Sequence, residues 1–327
     1  MQFSKFLVGK RPFCIWSDDL DEANRVLLRS LDADYFTFQG RQLARSLETD
    51  DAQRAAVALR SAYSHALETF FALLFAAIQA PDCVPAWLAL YQPAELVALV
   101  DMVQRYDMPK SKLRIAKKDW DVRWSGIAAT LMPVGGEFQD ASQAIRRGFG
   151  RMWTFFANDF LNAQKRSEYN WIKHGMRVAP GGFVLRMGEE PALGVAPPEE
   201  AMHTIGRSKY GCTSFVPEAI ANAPLQLRYR MTSSNWNPNS HIAGLNALSV
   251  SVANLLVFLN AYNDYSDAGE MTVPQDDAFY SSPWQSGVGV TTSSHALEIR
   301  NSDVKIFTAE EILAEYEQEP ELPPNSR

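Results

Sequence analysis

Residues 242–262 run for 21 positions without one charged side chain, and few folds can house such a segment. Its length is what a bilayer crossing requires. Three asparagines, Asn246, Asn254 and Asn260, interrupt it, and unsatisfied amides are costly in lipid. The run is therefore read as a central helix buried in protein, which demands that other helices surround it. A chain of 327 residues can supply such a core without covalent staples.

The surrounding helices can be placed from caps and periodicity. One long helix is predicted over 51–80, capped by Asp50 or Asp51 and ended by Pro81. Its second half, TFFALLFAAI over 69–78, is apolar on nearly every face and belongs among other elements. A second long helix is predicted over 138–174, with Lys173 in its last turn and Gly175 as its terminator. Shorter helices are expected over 18–31, 42–47, 85–91 and 93–106, while ADYFTFQ over 33–39 reads as extended.

Beyond residue 175 the texture changes. Residues 176–195 contain extended runs broken by glycine and proline, and LQLRYRMT over 225–232 alternates apolar with polar, as a half-buried strand does. The expected class is mainly α: a helical bundle over 1–175, with a strand-rich insertion over 176–237. The uncharged helix over 238–264 completes the bundle. A strand- and turn-rich segment with a short helix follows over 265–318, and 319–327 reads as a disordered tail.

Charge and cysteine usage bound the function. A net charge of −7 argues against a chain that coats double-stranded DNA or an anionic membrane. The opening MQFSKFLVGKRPFCIW has no apolar run of signal-peptide length. Cys14, Cys83 and Cys212 are scattered and show no zinc spacing, which suits a reducing compartment. The expectation is a cytoplasmic protein with no metal and no cofactor. No phosphate loop, dinucleotide fingerprint, HExxH or GxSxG elbow occurs.

Two helices carry the candidate chemistry. On the second, stepping by three or four from Ile145 meets Phe149, Met152, Phe156, Phe160, Ala163, Ser167, Asn170 and His174. If the helix is regular, Asn170 and His174 point the same way as the aromatic core, either hydrogen-bonded there or lining a cavity. On the first, Asp51, Arg54, Ser61, His65 and Glu68 form a polar stripe flanked by Arg60 and Ser64. Arg60 with His65 could handle a phosphate, since arginine forks onto it and histidine moves a proton near neutral pH.

Arg60-Ser-Ala-Tyr-Ser-His65 resembles the Arg-x(4–6)-His pattern of HEPN domains, and the Asn170-Trp-Ile-Lys-His-Gly175 ending is similar to helix ends in HEPN-like proteins. The resemblance implies an all-α bundle acting as a metal-independent ribonuclease, in toxin–antitoxin, CRISPR or antiviral defence. Arg60 would bind the scissile phosphate, His65 would be acid/base with His174 nearby, and a second copy would complete the site.

A binding role has its own candidates, among them Glu68, Asn170 and Lys173. Lys110, Lys112, Arg114, Lys117, Lys118 and Arg123 fall within 14 residues, interleaved with Trp120 and Trp124, a composition that suits single-stranded RNA. Arg146, Arg147 and Arg151 could extend that patch, and Trp236 could anchor a partner if exposed. Three readings stay open: a non-catalytic interaction or scaffold protein, an RNA-directed protein or ribonuclease, and a small-molecule or metal site in the bundle. The candidate partners are RNA, a second copy of the chain, or another protein.

Overall fold

The computed structural model describes residues 3–16, 20–109, 121–132, 142–174, 177–182, 184–220, 223–265, 269–274, 276, 278–281, 292–296 and 308–317. The chain opens with a hairpin, β1 (Phe3–Val8) and β2 (Arg11–Trp16), turned by Gly9 at φ +61°. Glycine at the first central position is what a two-residue hairpin loop of this kind needs. Six helices follow: α1 (Leu20–Ser30), α2 (Tyr35–Ser46), α3 (Ala52–Gln79), α4 (Val84–Leu90), α5 (Pro93–Gln104) and α6 (Trp124–Leu131). Then come α7 (Ser142–Leu161) and α8 (Ala163–Lys173).

The β-rich part lies between α8 and α9 (Pro238–Tyr262), with one strand beyond it. It comprises β3 (Val178–Pro180), β4 (Val184–Met187), β5 (His203–Arg207), β6 (Gly211–Ile220), β7 (Ala223–Asn235) and β8 (Thr292–Ala296). An antiparallel sheet runs in the order β3-β6-β7-β8, so the insertion and the C-terminal extension share one sheet, while β4 and β5 pair separately. A last helix, α10, spans Ala309–Glu317. The chain is mainly α with a smaller β-rich insertion and extension, as its pattern predicts.

Helix α3 lies at the centre, with α2 and α9 packed along it. Both α3 and α9 are long and apolar enough to cross a membrane. Here 72% and 61% of their most apolar windows are buried inside the protein. The polar interruptions of α9 are spent on neighbouring elements. Asn254 donates to the Thr272 carbonyl at 2.9 Å and accepts from the Thr272 N–H at 2.8 Å. Ser251 Oγ accepts from Trp153 Nε1 at 3.1 Å, and Ser249 Oγ accepts from the Thr37 N–H at 3.1 Å. Asn254, Ser251 and Ser249 are thereby satisfied, as buried polar groups in a protein interior generally are.

Two expectations are corrected. Residues 33–39 are not extended: α2 begins at Tyr35 and buries Phe36 and Gly40, with Leu43 and Leu47 packed against the core. That spacing is helical, and burial overrides the strand preference of an aromatic-rich stretch. The second long helix is not continuous. Asn162 adopts an extended conformation, and its side chain accepts the Lys165 N–H at 3.0 Å, so it ends α7 and caps α8. Arg166 closes the other side by donating to the Leu161 carbonyl at 2.6 Å, where a cation suits a helix C-terminus.

The break changes the phase of everything after it. Ile145, Phe149, Met152 and Phe156 are buried as the stripe predicts. In α8, however, the buried positions are Glu168 and Ile172, while Asn170 and His174 are exposed. A small cluster of Ala56, Val57, Ile172, Val178, Cys212 and Trp236 then fastens the sheet to α3 and α8.

Candidate functional site

Arg60 projects from α3 into this junction, where its side chain is 4% exposed, and Nε donates to Glu168 Oε1 at 2.5 Å. Trp236 Nε1 donates to the other oxygen of Glu168 at 3.3 Å. Burial opposes the Arg60 charge, yet Glu168 and then Asp159 raise its pKa overall. Beside it, Tyr63 donates to Asp159 Oδ2 at 3.0 Å, and Lys165 pairs with the other oxygen of Asp159. Burial, with Asp159 adding, pushes the Tyr63 phenol well up. Two carboxylates, two cations, a tyrosine and a tryptophan thus link α3, α7, α8 and the residue after β7.

Over this network opens a cleft of about 800 Å³ between α3, α5 and α7–α8. Leu67, Leu96, Val97 and Phe160 supply apolar surface, and Arg166, Asn170, Lys173 and His174 stand around it. Lys173 Nζ sits 5.5 Å from the centre of the Tyr169 ring, a cation–π distance. The Tyr169 phenol is pushed up to about 12 by burial, with Glu68 and Tyr91 contributing, so it stays a proton donor at neutral pH. Glu68 also raises the Tyr91 phenol, behind burial as the larger cause.

The structure therefore brings together Arg60, Glu68, Asn170, Lys173 and His174. His65 is not with them. It is exposed and meets Phe36 of α2 edge-on, with ring centres 5.4 Å apart. Five residues of regular helix turn through about 500°, so Arg60 and His65 point about 140° apart. The pairing of Arg60 with His65 is corrected to a pairing of Arg60 with Glu168. The expectation that Asn170 and His174 face the aromatic core is also corrected: the break at Asn162 turns them onto the exposed side of the cleft.

Trp124 is 3% exposed, tilted against Phe71 at 5.6 Å and donating to Gln104 Oε1 at 2.8 Å, so it is a core residue and not a stacking platform. Lys117, Lys118 and Trp120 lie outside the described residues. Trp236 is buried and hydrogen-bonded, which overturns its reading as a partner anchor. Among the described residues, no three His, Cys, Asp or Glu side chains are grouped to hold a metal ion.

Sequence reasoning missed Asp159, Lys165, Arg166, Glu168, Tyr169 and His241. His241 is 8% exposed, between the Tyr63 ring at 5.3 Å and the Trp236 ring at 6.4 Å, and among the described residues its Nδ1 has no hydrogen-bond partner. Burial, then the charges of Arg60 and Lys165, hold its pKa well below the usual histidine range. The signal for α8 was Asn162 as a cap: restarting the helix there places Glu168 and Ile172 one turn apart on one face. No protein-family model matches the chain, and no curated protein and no solved structure matches it either.

Proposed function

We propose that this chain is a non-catalytic binding protein whose cleft receives a small organic anion carried on an apolar body. The observation that carries the reading is the lining itself. Arg60, Lys165, Arg166 and Lys173 line the cleft against only Glu68 and Asp159, over an apolar floor. That local excess of cations stands on a chain of net charge −7, so it is a property of the site and not of the surface at large. Arg60 and Lys165 are committed to Glu168 and Asp159 and hold the wall rigid. Lys173 remains to meet the ligand's charge and Tyr169 can donate to it, while Arg166, held at the end of α7 by the Leu161 carbonyl, adds its charge to the wall.

Titration calorimetry with phenyl phosphate, phenol and inorganic phosphate tests the reading. Phenyl phosphate should bind more tightly than either half alone, because only it uses both the cations and the floor. Lys173→Glu should weaken it at least tenfold, the scale set by about 1.4 kcal/mol for one lost charge-assisted contact. Equal affinity in wild type and Lys173→Glu would overturn the proposal.

A second reading, metal-independent RNA cleavage, is favoured by one observation: Arg60 and His174 line the same cleft. It requires Arg60 to leave Glu168 for a phosphate. Degradation of RNA in the presence of chelator, by wild type, His65→Ala and His174→Ala, tests it; equal rates in all three refute it. In either reading the two long apolar helices are taken as the core of a soluble, cytoplasmic bundle.

A further inference from the structure

A second groove, of about 940 Å³, lies at the opposite end of α7 from the Asn162 break and is lined by Tyr106, Arg123, Ser125, Arg147, Arg151 and Thr154 among others. Its construction depends on Gly150. A Cβ there would lie 2.7 Å from the Ser125 Cα, so glycine lets the first turn of α6 sit directly on α7. That approach sets Arg123 and the positive end of α6 beside Arg147 and Arg151, which are exposed and one turn apart on α7. Asp121 offsets Arg123 at 2.9 Å. Among the described residues, neither Arg147 nor Arg151 has an acidic partner. Like charges gathered this way repel one another unless an anion sits between them.

Tyr106 is the independent observation. Helix α5 ends with the Tyr106 N–H bonded to the Val103 carbonyl at 3.1 Å and the Asp107 N–H bonded to the Met102 carbonyl at 3.0 Å. This is the glycine-type helix stop, and its left-handed position is held by Tyr106 at φ +60°. A side chain with a Cβ is disfavoured there, and burial does not compensate, because Tyr106 is 65% exposed. Gln104 ties this end of α5 to α7 and α6, donating to Asn158 Oδ1 at 2.8 Å and accepting from Trp124 Nε1 at 2.8 Å. An exposed aromatic thus stands, at a conformational cost, on the edge of an arginine-lined groove.

We infer that this groove binds single-stranded nucleic acid, with Arg147, Arg151 and Arg123 on successive phosphates and Tyr106 stacked on a base. Arginine forks match phosphate oxygens, and a free ring beside a cationic track is the common element of single-strand binding. An acidic peptide would satisfy the arginines but leave the ring unused. The site shares no lining residue with the α3–α5–α8 cleft.

The test is fluorescence anisotropy of a labelled oligouridylate of about twenty nucleotides, with a duplex of equal length as competitor. Wild type should bind the strand saturably and prefer it to the duplex. Arg147→Ala/Arg151→Ala should weaken binding at least tenfold and flatten the slope of log K against log salt by about 1.4, two phosphates at about 0.7 each. Tyr106→Gly should weaken binding by about fivefold or more while raising the thermal midpoint, a combination that a structural tyrosine would not give. Lys173→Glu should leave strand binding unchanged, which separates this site from the cleft. Absence of saturable binding, retention in the arginine variant, unchanged affinity in Tyr106→Gly or loss in Lys173→Glu would each overturn the inference.

Discussion

Replacing Arg60 with methionine tests whether the network behind the cleft is structural. Methionine keeps most of the length and apolar stem of arginine but removes its charge. Glu168, with its side chain 5% exposed, would keep among the described residues only the Trp236 N–H at 3.3 Å as a close partner. Breaking a buried pair by removing one member costs about 3–5 kcal/mol, because the other charge is left uncompensated in a poorly solvated place. Coulomb's law at an effective dielectric near 20 gives a comparable figure, about 4 kcal/mol for unit charges about 4 Å apart. Glu168→Gln should cost less, because Asp159 already acts on Arg60 and remains in place. Arg60→Met/Glu168→Leu should recover most of the loss, since neither charge is then stranded.

Urea denaturation followed by circular dichroism reads these values directly. With m about 3 kcal/mol/M, the Arg60→Met midpoint should fall by about 1 M or more. A chain with total stability of roughly 5–15 kcal/mol would register that clearly. A cost below about 1 kcal/mol, within the range of exposed pairs, would refute the reasoning. So would a double variant no more stable than Arg60→Met alone.

Three further predictions follow from buried or capping groups. His241 is neutral in the folded protein, and its pKa lies below the unfolded value of about 6.5. The unfolded chain therefore takes up a proton first as pH falls, and stability drops below pH ~6.5 by up to about 1.4 kcal/mol per pH unit until the folded histidine titrates. Denaturation curves of His241→Phe across pH 7 to 5 should lack that part of the slope; an unchanged slope contradicts it. The Cys212 thiol is pushed up to about 12 by burial, with Glu168 adding, whereas Cys14 is exposed. Iodoacetamide labelling at pH 8 should modify Cys14 first, and equal rates at the two positions would count against the packing. Asn162→Ala should cost about 1 kcal/mol and Asn162→Gly a few tenths, checked by thermal melts, because only the side-chain cap is lost; no cost for alanine would remove the cap from the account.

Much of the helical frame was legible because its signals are local. Pro81 and the acid-flanked start at residue 51 bound α3 to within a residue at each end, and the absence of charge over 242–262 marks α9. The N-terminal hairpin had a weaker signal, a Gly9-Lys10 turn between two aromatic-containing runs that do not alternate cleanly. The candidate site was legible in part of its membership and not in its geometry. Glu68, Asn170, Lys173 and His174 were singled out, yet their facing depended on one asparagine that resets the helical phase at 162. The partner of Arg60 lies 108 residues away on another helix, a distance that no local spacing rule spans. His65 failed for the converse reason: its proximity to Arg60 in sequence is what places the two on different faces of one regular helix.

A ¹H–¹⁵N titration of the full chain with phenyl phosphate, mapped residue by residue, locates the anion directly. Saturable shifts are expected at millimolar concentration or below, concentrated at Leu67, Glu68, Val97, Tyr169, Asn170 and Lys173, and abolished by Lys173→Glu. Shifts that never saturate, or that stay in the cleft unchanged in Lys173→Glu, would contradict it.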